Sequence, residues 1–514
     1  MPRYATRLVP ILVWTIVIFC SFHNLRNFPT IWWDEAIFSE TAANLAQKGR
    51  YAFTIESPDK LSDFDYRISA GPVIIGPVAL AYYLFEVDIF YGRLVAGVFL
   101  CLAFVLLYLS ARCLLPRGPS LLSVLLTLGT TDILYWGRSV MGDIPAISCF
   151  LGGVFFVLKG LQEERRSCMW AAGCCLGLAV AAKEFYSLAL FPVLATLGWT
   201  YRRRLLELTK TAGVLLLGFF LPLVVYLIVK AFILGGLLPA LNHFYVQKKL
   251  LCHEFFTPMT IGRFYPESFA YLLTHPLFIT GLIGFWLYQR RNGWSPSLRY
   301  WLGNLSLWGI FYLLAVYWQR FALPVLILSS PFAGYLLIAT FNALSEAAAL
   351  RRYPMWAKIS VLSMMIALVF PLSIFSYLPR IMNSADDSPH KLVDYLQRSI
   401  PNDVLIETPE YELVFLDDDH RYHLMPAFYF VESTPDKIVL HSPETGRYDF
   451  AKVKADLLIL GSFGKSVFRQ IYPWSQVRRY YKKISTIDYY DIYLRRDSNL
   501  GRQVQALGLG PSAR

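Results

Sequence analysis

Asp34 and Glu35 stand side by side behind Trp32 and Trp33 in "TIWWDEAIFSETAANLAQKG" (residues 30–49), just after the first apolar run of the chain. Three later stretches carry isolated charges at the ends of apolar runs. They are "WGRSVMGDIP" (136–145) with Arg138 and Asp143, "AAKEFY" (181–186) with Lys183, and "YWQRFALP" (317–324) with Arg320. Carboxylates accept protons and cations hold developing negative charge, so this set suits acid–base work beside a bound anion. A charge costs about 2.5–3.5 kcal/mol at a bilayer centre, which puts these groups at span ends or in a wet cavity. Their spread over several runs implies one shared polar cleft. Each residue also has a local reading. The tryptophans suit the headgroup level as anchors, and the two acids suit the first turn of an amphipathic helix that Gly49 ends. Arg138, Lys183 and Arg320 could snorkel to headgroups.

The elements that must position these groups are helices in a membrane. Of 514 residues, 56% are hydrophobic and only 16% charged, and the mean hydropathy is +0.44. Apolar runs of about 18 residues or more recur, each long enough to cross a bilayer. The reading is a polytopic α-helical membrane protein with about eleven spans, near 8–24, 93–111, 119–135, 145–160, 168–182, 186–200, 211–230, 270–288, 300–317, 321–341 and 357–378. The basic, apolar opening "MPRYATRLVPILVWTIVIFCSF" has no small-x-small cleavage site and reads as a retained anchor. The net charge of +12 does not indicate a nucleic-acid partner. Residues 380–514 hold 18 basic and 18 acidic side chains, so the excess lies wholly in residues 1–379, where basic loops set orientation. Seven of the eight cysteines sit in or beside apolar runs and Cys252 lies in a loop, with no metal-finger spacing.

Charge then fixes the topology. With a cytoplasmic N-terminus and "GPVIIGPVALAYYLFEV" (71–87) not crossing, inward loops hold 17 basic residues and short outward segments hold 7. Two glycine–proline pairs in 71–87 also suit a re-entrant or surface-lying helix. Residues 25–92 are therefore expected outside as one long first loop of a transmembrane domain spanning 1–379. Residues 380–514 are expected as a small extracytoplasmic α/β domain. "SPHKLVDYLQRSI" reads as its helix, capped by Ser388, and "DVLIET", "ADLLILG" and "YKKISTIDYYDIYLRR" as strands, before a disordered tail after Arg496.

At this point the chain resembles the GT-C glycosyltransferases, in the branch of the protein O-mannosyltransferases and lipid A aminoarabinose transferases. The resemblance rests on "WWDEAIFSETAANLAQKGRY", "RSVMGDIP", "AAKEFYSLALFP" and "QRFALPVLILSSPFAGYLL", in that order over most of 25–340. It implies a plasma (inner) membrane enzyme that takes a sugar from a polyprenyl-phosphate donor lipid and passes it to an extracytoplasmic acceptor, protein or envelope glycan. By that match Asp34 is the general base, with Glu35 beside it, and Asp143 is the second acidic position. Lys183 and Arg320 stand where relatives carry cations near the lipid phosphate, and Arg138 assists. Inversion at the anomeric carbon is a further implication of the family.

The match has gaps. Aminoarabinose-transferase relatives carry an acid–lysine–proline–proline run late in the first loop whose acid can bind metal, whereas this chain reads "YRISAGPVIIGP", with Ser69 and Ala70 in place of the charged pair. A divalent metal thus has weak support, and His243 and His253, ten residues apart, are no ligand signature. Asp65 is a further acid that nothing singles out. "GSFGKS" (461–466) lacks phosphate-loop spacing and reads as a strand turning into a helix. Two other classes stay open. One is a secondary transporter, although no internal repeat is evident. The other is a non-catalytic scaffold, which leaves the acids and cations without a role.

Overall fold

The computed structural model describes residues 5–498 except 57–59, 66, 248–265, 316–317, 347–359, 361–377, 383–386, 425–428, 435–436, 443–445, 448, 467 and 470. Helices occupy most of the apolar runs: α1 (Ala5–Phe22), α4 (Ile89–Arg112), α5 (Arg117–Leu128), α6 (Thr131–Gly137), α7 (Asp143–Glu163), α8 (Arg166–Ala182), α9 (Leu190–Thr200) and α10 (Leu205–Ile233). The series continues through α11 (237–247), α12 (Pro266–Thr274), α13 (Pro276–Asn292), α14 (Pro296–Leu314) and α15 (Leu323–Glu346). Two more, α2 (Trp33–Lys48) and α3 (Pro72–Leu84), lie in the expected first outer loop.

Helix length supports part of the expected span count. Among the described residues, four helices are long and apolar enough to cross a bilayer alone, and a fifth is the pair α12–α13, bent by 63°. That bend falls at His275–Pro276, where proline removes a backbone donor. The expected span 119–135 is likewise split at Gly129–Thr130 into α5 and α6, and 186–200 starts as a 3-10 turn over Glu184–Ala189. The candidate at 357–378 falls almost entirely outside the described residues. α3 has 13 residues, about 20 Å of helix against a hydrocarbon core of about 30 Å. It is too short to cross as a straight helix.

The strands form a sheet that joins distant parts of the chain. Its order is β2 (Lys60–Asp63), β1 (Ala52–Glu56), β4 (Arg421–Leu424), β3 (Leu405–Thr408), β8 (Leu457–Leu460), β10 (Tyr490–Arg495) and β9 (Tyr481–Ile487). β3 pairs in parallel with both β4 and β8, and a short helix, α17 (Tyr411–Leu416), makes the β3–β4 crossover. β8 is buried along its whole length, as a central strand covered on both faces requires. At the other end β1, from the first loop, joins β4 through the pair Glu56–His423. A separate three-stranded sheet is made by β5 (Tyr429–Thr434), β6 (Lys437–Ser442) and β7 (Gly446–Arg447).

Helix α16 (Ser388–Ser399) lies where its periodicity predicts, but Ser388 does not cap it. Ser388 is the first helical residue, and its hydroxyl donates instead to Asp488 at 2.9 Å. Two large apolar cores and a smaller third one around Tyr472 and Tyr481 follow. One lies among the helices, around Trp301, Trp308, Phe332 and Leu151. The second packs α2 and α3, through Ile37, Phe38, Ile74 and Val78, against Tyr411, Tyr422, Ile459 and Ile492 of the C-terminal part. The first loop and the C-terminal strands therefore share one interior.

Candidate active site

α2 begins directly after Trp32 with Asp34 and Glu35 in its first turn, and ends at Gly49, whose φ of 65° supplies the left-handed cap. Because side chains project at about 100° intervals around a helix, two adjacent acids point to different surroundings.

Asp34 faces the polar side. Its Oδ2 accepts from Arg320 Nη1 at 2.8 Å. Arg320 sits in the 3-10 turn Gln319–Ala322 that leads into α15. Its guanidinium lies 5.6 Å from the Trp32 ring centroid, 5.5 Å from Trp136, 4.4 Å from Trp318 and 5.7 Å from Phe321. An aromatic frame holds the cation by its π faces without neutralising it. Asp34 keeps 15% of its side chain exposed and Arg320 6%.

Glu35 faces inward. Both carboxylate oxygens take Arg93, at 2.8 and 2.7 Å, in a fork-to-fork pair. Oε1 also accepts the Val140 amide at 3.0 Å, and Arg93 donates to the Leu25 carbonyl at 2.9 Å. The pair is sealed, with exposures of 0% and 1%. The expectation that Glu35 works beside Asp34 meets this geometry: its oxygens are engaged by α4 and by the segment before α7.

Asp143 opens α7 and pairs with Lys183 Nζ at 3.2 Å, both buried. Lys183 is held by close backbone packing. Gly71 and Gly142 both press on the end of α8, and the Gly71 amide donates to the Ala182 carbonyl at 3.0 Å. A Cβ at Gly71 would lie 1.6 Å from the Ala181 oxygen, and one at Gly142 would lie 2.7 Å from the Ala182 oxygen. Only glycine permits that approach. Phe185, two residues past Lys183, packs its ring against Phe321 at 5.4 Å, beside Arg320. One aromatic contact thus links the surroundings of the two pairs.

Arg138 stands apart from both pairs. It donates to the Cys20 carbonyl at 3.1 Å and to the His23 carbonyl, with Phe28 5.3 Å below its guanidinium. These are carbonyls at the C-terminal end of α1, which helix geometry leaves without intrahelical partners. Substrate contact by Arg138, expected from sequence, finds no support in this placement.

The tryptophans, expected as interface anchors, also make contacts within the protein. The Trp33 indole donates to the Pro409 carbonyl at 3.0 Å and its ring stacks on Tyr411 at 4.9 Å and Phe463 at 5.6 Å. Trp32 packs on Trp136 at 5.0 Å. Together they fasten the start of α2 to the C-terminal part. Asp65 is tied to Arg67 at 2.7 Å. Burial alone would raise its pKa, but the Arg67 charge and hydrogen bonds hold it below the usual carboxylate range. His243 contacts the Phe64 carbonyl at 2.6 Å, and His253 lies outside the described residues. Among the described residues no three His, Cys, Asp or Glu side chains converge as metal ligands, and Ala70 lies against Gly142 where a metal-binding run would need charge.

Sequence reasoning missed Arg93 as the partner of Glu35. The signal was present, because Arg93 is the one charged residue within the apolar stretch 89–111, and ionisable groups inside such stretches are paired.

Comparison with known proteins agrees with this layout. Residues 70–228 match the family described as dolichyl-phosphate-mannose-protein mannosyltransferase. ArnT from Cupriavidus metallidurans, solved bound to undecaprenyl phosphate, superposes with a TM-score of 0.58 at 14% identity, covering 97% of this chain and 99% of that one. The Archaeoglobus fulgidus oligosaccharyltransferase matches with a TM-score of 0.58 at 11% identity, over 95% of this chain and 74% of that one. The same archaeal enzyme, AglB, in complex with an inhibitory peptide and a dolichol-phosphate, matches at 0.55 and 11% identity, with 95% and 74% covered. The chain shares the fold of these solved structures, and its residues 70–228 carry the family match. No curated protein matches it by sequence. Within this fold, the Asp34–Arg320 and Asp143–Lys183 pairs are carried by the first loop and by the ends of α7, α8 and α15, whereas Glu35 and Arg138 hold those elements together.

Proposed function

We propose that this chain is a membrane glycosyltransferase that moves a sugar from a polyprenyl-phosphate carrier to an acceptor on the non-cytoplasmic side of the plasma membrane. The observation that carries the reading is the Asp34–Arg320 pair, a partly open carboxylate 2.8 Å from an aromatic-framed guanidinium. In the reaction the acceptor hydroxyl attacks the anomeric carbon. Its O–H proton passes to Asp34, the new C–O bond forms, and the bond from the sugar to the carrier phosphate breaks. Arg320 leaves Asp34 and takes the negative charge of the departing phosphate, and Lys183 reinforces it from behind. Displacement in one step inverts the anomeric centre. Asp143 positions Lys183, Glu35 with Arg93 fixes the helix that aims Asp34, and Arg138 secures the end of α1.

Support for the donor class comes from the superfamily and from the lipid phosphates named with two of its matching structures. The acceptor is an envelope molecule, protein or glycan. The test is transfer from a defined polyprenyl-phosphate sugar by purified protein, wild type against Asp34→Asn. Abolished transfer with unchanged thermal unfolding supports the assignment. Transfer that persists at the wild-type rate removes Asp34 from the chemistry. The transporter reading makes the opposite forecast: substrate counterflow in proteoliposomes with no covalent product.

A further inference from the structure

A concavity lies at edge strand β9, lined by none of the charges paired in the candidate active site. Helix α19 (Trp474–Tyr480; the turn after β8, Ser462–Lys465, is α18) supplies Trp474 and Arg478. β9 supplies Tyr481, Lys482 and Lys483, and Tyr493 and Arg496 close a cleft of about 350 Å³. That volume is at the lower end of the roughly 300–1,000 Å³ of small-ligand sites.

The chemistry of the lining is specific. Two neighbouring carboxylates are already engaged: Asp491 takes the lining Lys483 at 2.6 Å and Lys465 at 2.8 Å, and Asp497 takes Arg495 at 2.5 Å. Arg496 is oriented by donating to the Arg478 carbonyl at 3.2 and 3.3 Å. Among the described residues no acid is ion-paired with Arg478, Lys482 or Arg496. The rings are fixed as well, since Tyr481 donates to the Ala455 carbonyl at 3.2 Å and Trp474 packs on Tyr493 at 6.4 Å. Lysines on an edge strand can serve only to block pairing with another strand. That role does not call for a concavity with a partly open Trp474 backed by the buried rings of Tyr481 and Tyr493. A flat lipid surface would meet the protruding lysines and leave Trp474 unused. A ligand with an apolar ring face and a negative charge uses both, the C–H face of a pyranose on Trp474 and the anion on the guanidinium and ammonium groups. The same small core that holds Trp474, Tyr481 and Tyr493 also contains Trp33, the residue before Asp34.

We propose that this cleft binds an anionic saccharide, a pyranose unit carrying phosphate or carboxylate, and that it receives part of the acceptor. The acceptor role rests on the transferase reading, whereas the binding itself does not. The experiment uses the full chain in phosphatidylcholine nanodiscs and ligand-observed saturation-transfer NMR with mannose 6-phosphate and trigalacturonate, against neutral maltotriose. The expected result is saturation of the two anionic saccharides, little for maltotriose, and about tenfold weaker binding by the Arg478→Gln/Lys482→Gln double variant. Trp474→Leu, which keeps both cations, should weaken binding on its own. Equal binding by wild type and both variants overturns the site. So does a double variant that loses only its cosedimentation with phosphatidylglycerol vesicles while saccharide binding persists, a result that assigns the cations to a lipid surface. Saccharide binding by a chain that transfers no sugar would sink the transferase reading and leave the cleft standing. Transfer that depends on Asp34, with no saccharide binding, would do the reverse.

Discussion

Two neighbouring acids, Asp34 and Glu35, meet opposite surroundings. Glu35 is sealed with Arg93 and the Val140 amide inside the protein, whereas Asp34 remains 15% exposed against a guanidinium framed by rings. A sealed, fully satisfied ion pair holds elements in register and has no capacity left for a substrate. An open pair with one replaceable partner can exchange it for a reacting group. The difference shows that one helical turn can carry a sealed ion pair and an open one in successive residues, because about 100° of rotation separates them.

The comparison can be broken most forcefully at Asp34. Asp34→Asn should lower transfer by about 10²–10⁴-fold, the usual reach of a general base, with little change in unfolding temperature. Glu35→Gln should do the reverse in kind, destabilising the fold by about 3–5 kcal/mol because Arg93 is left buried and uncompensated. Thermal unfolding in detergent measures it, and a Glu35→Leu/Arg93→Met double variant should recover much of the loss. Equal stability of Glu35→Gln and wild type would end the clamp assignment. Next in size, Gly142→Ala should cost about 1–3 kcal/mol by overpacking against the Ala182 carbonyl. It should also lower transfer through displacement of Lys183, so a variant of wild-type activity would show that the position of Lys183 is unimportant.

The smallest expected effect concerns pH and the C-terminal part. Glu410 and Glu412 are both raised, Glu410 by burial, which outweighs the opposing hydrogen bonds from the Gly464 and Gly461 amides, and Glu412 by burial and then by Glu410. His420 and His423 lose by burial but are raised overall by Asp417 and Glu407 respectively. All four groups hold protons more firmly folded than unfolded. Their stability is present at mildly acidic pH and is lost as pH rises through the raised values. The unfolding midpoint should therefore drop by a few degrees between pH 6 and pH 9, and Glu410→Gln should flatten that slope. A midpoint that climbs over the same range would contradict the sign.

The helices were legible because apolar composition alone dictates them, and Asp34, Asp143, Lys183 and Arg320 were legible because charges at the ends of apolar runs are rare. Their pairing was not. Nothing local tells Asp34 that its partner is Arg320, 286 positions away, and Arg93 was hidden by being counted as the edge of a span. The breaks at Gly129–Thr130 and His275–Pro276 were readable in residue type, but an apolar run masks them when hydropathy is averaged. The strands at 52–63 escaped notice because they are short and find their partner β4 only through tertiary contact. The turn "GSFGKS" was read correctly as strand into helix. Its amides are occupied, since Glu410 takes the N–H groups of Gly461 and Gly464 at 2.8 Å each.

The shared sheet has a consequence for biosynthesis. Glu56 meets His423, which leaves the ribosome about 370 residues later, tens of seconds at roughly 5–20 residues per second. The loop bearing Asp34 must wait that long for its last neighbours. A chain cut short before β4 would keep its greasy helices and lack this support for the Asp34 loop, so on the transferase reading sugar transfer waits until translation is nearly complete.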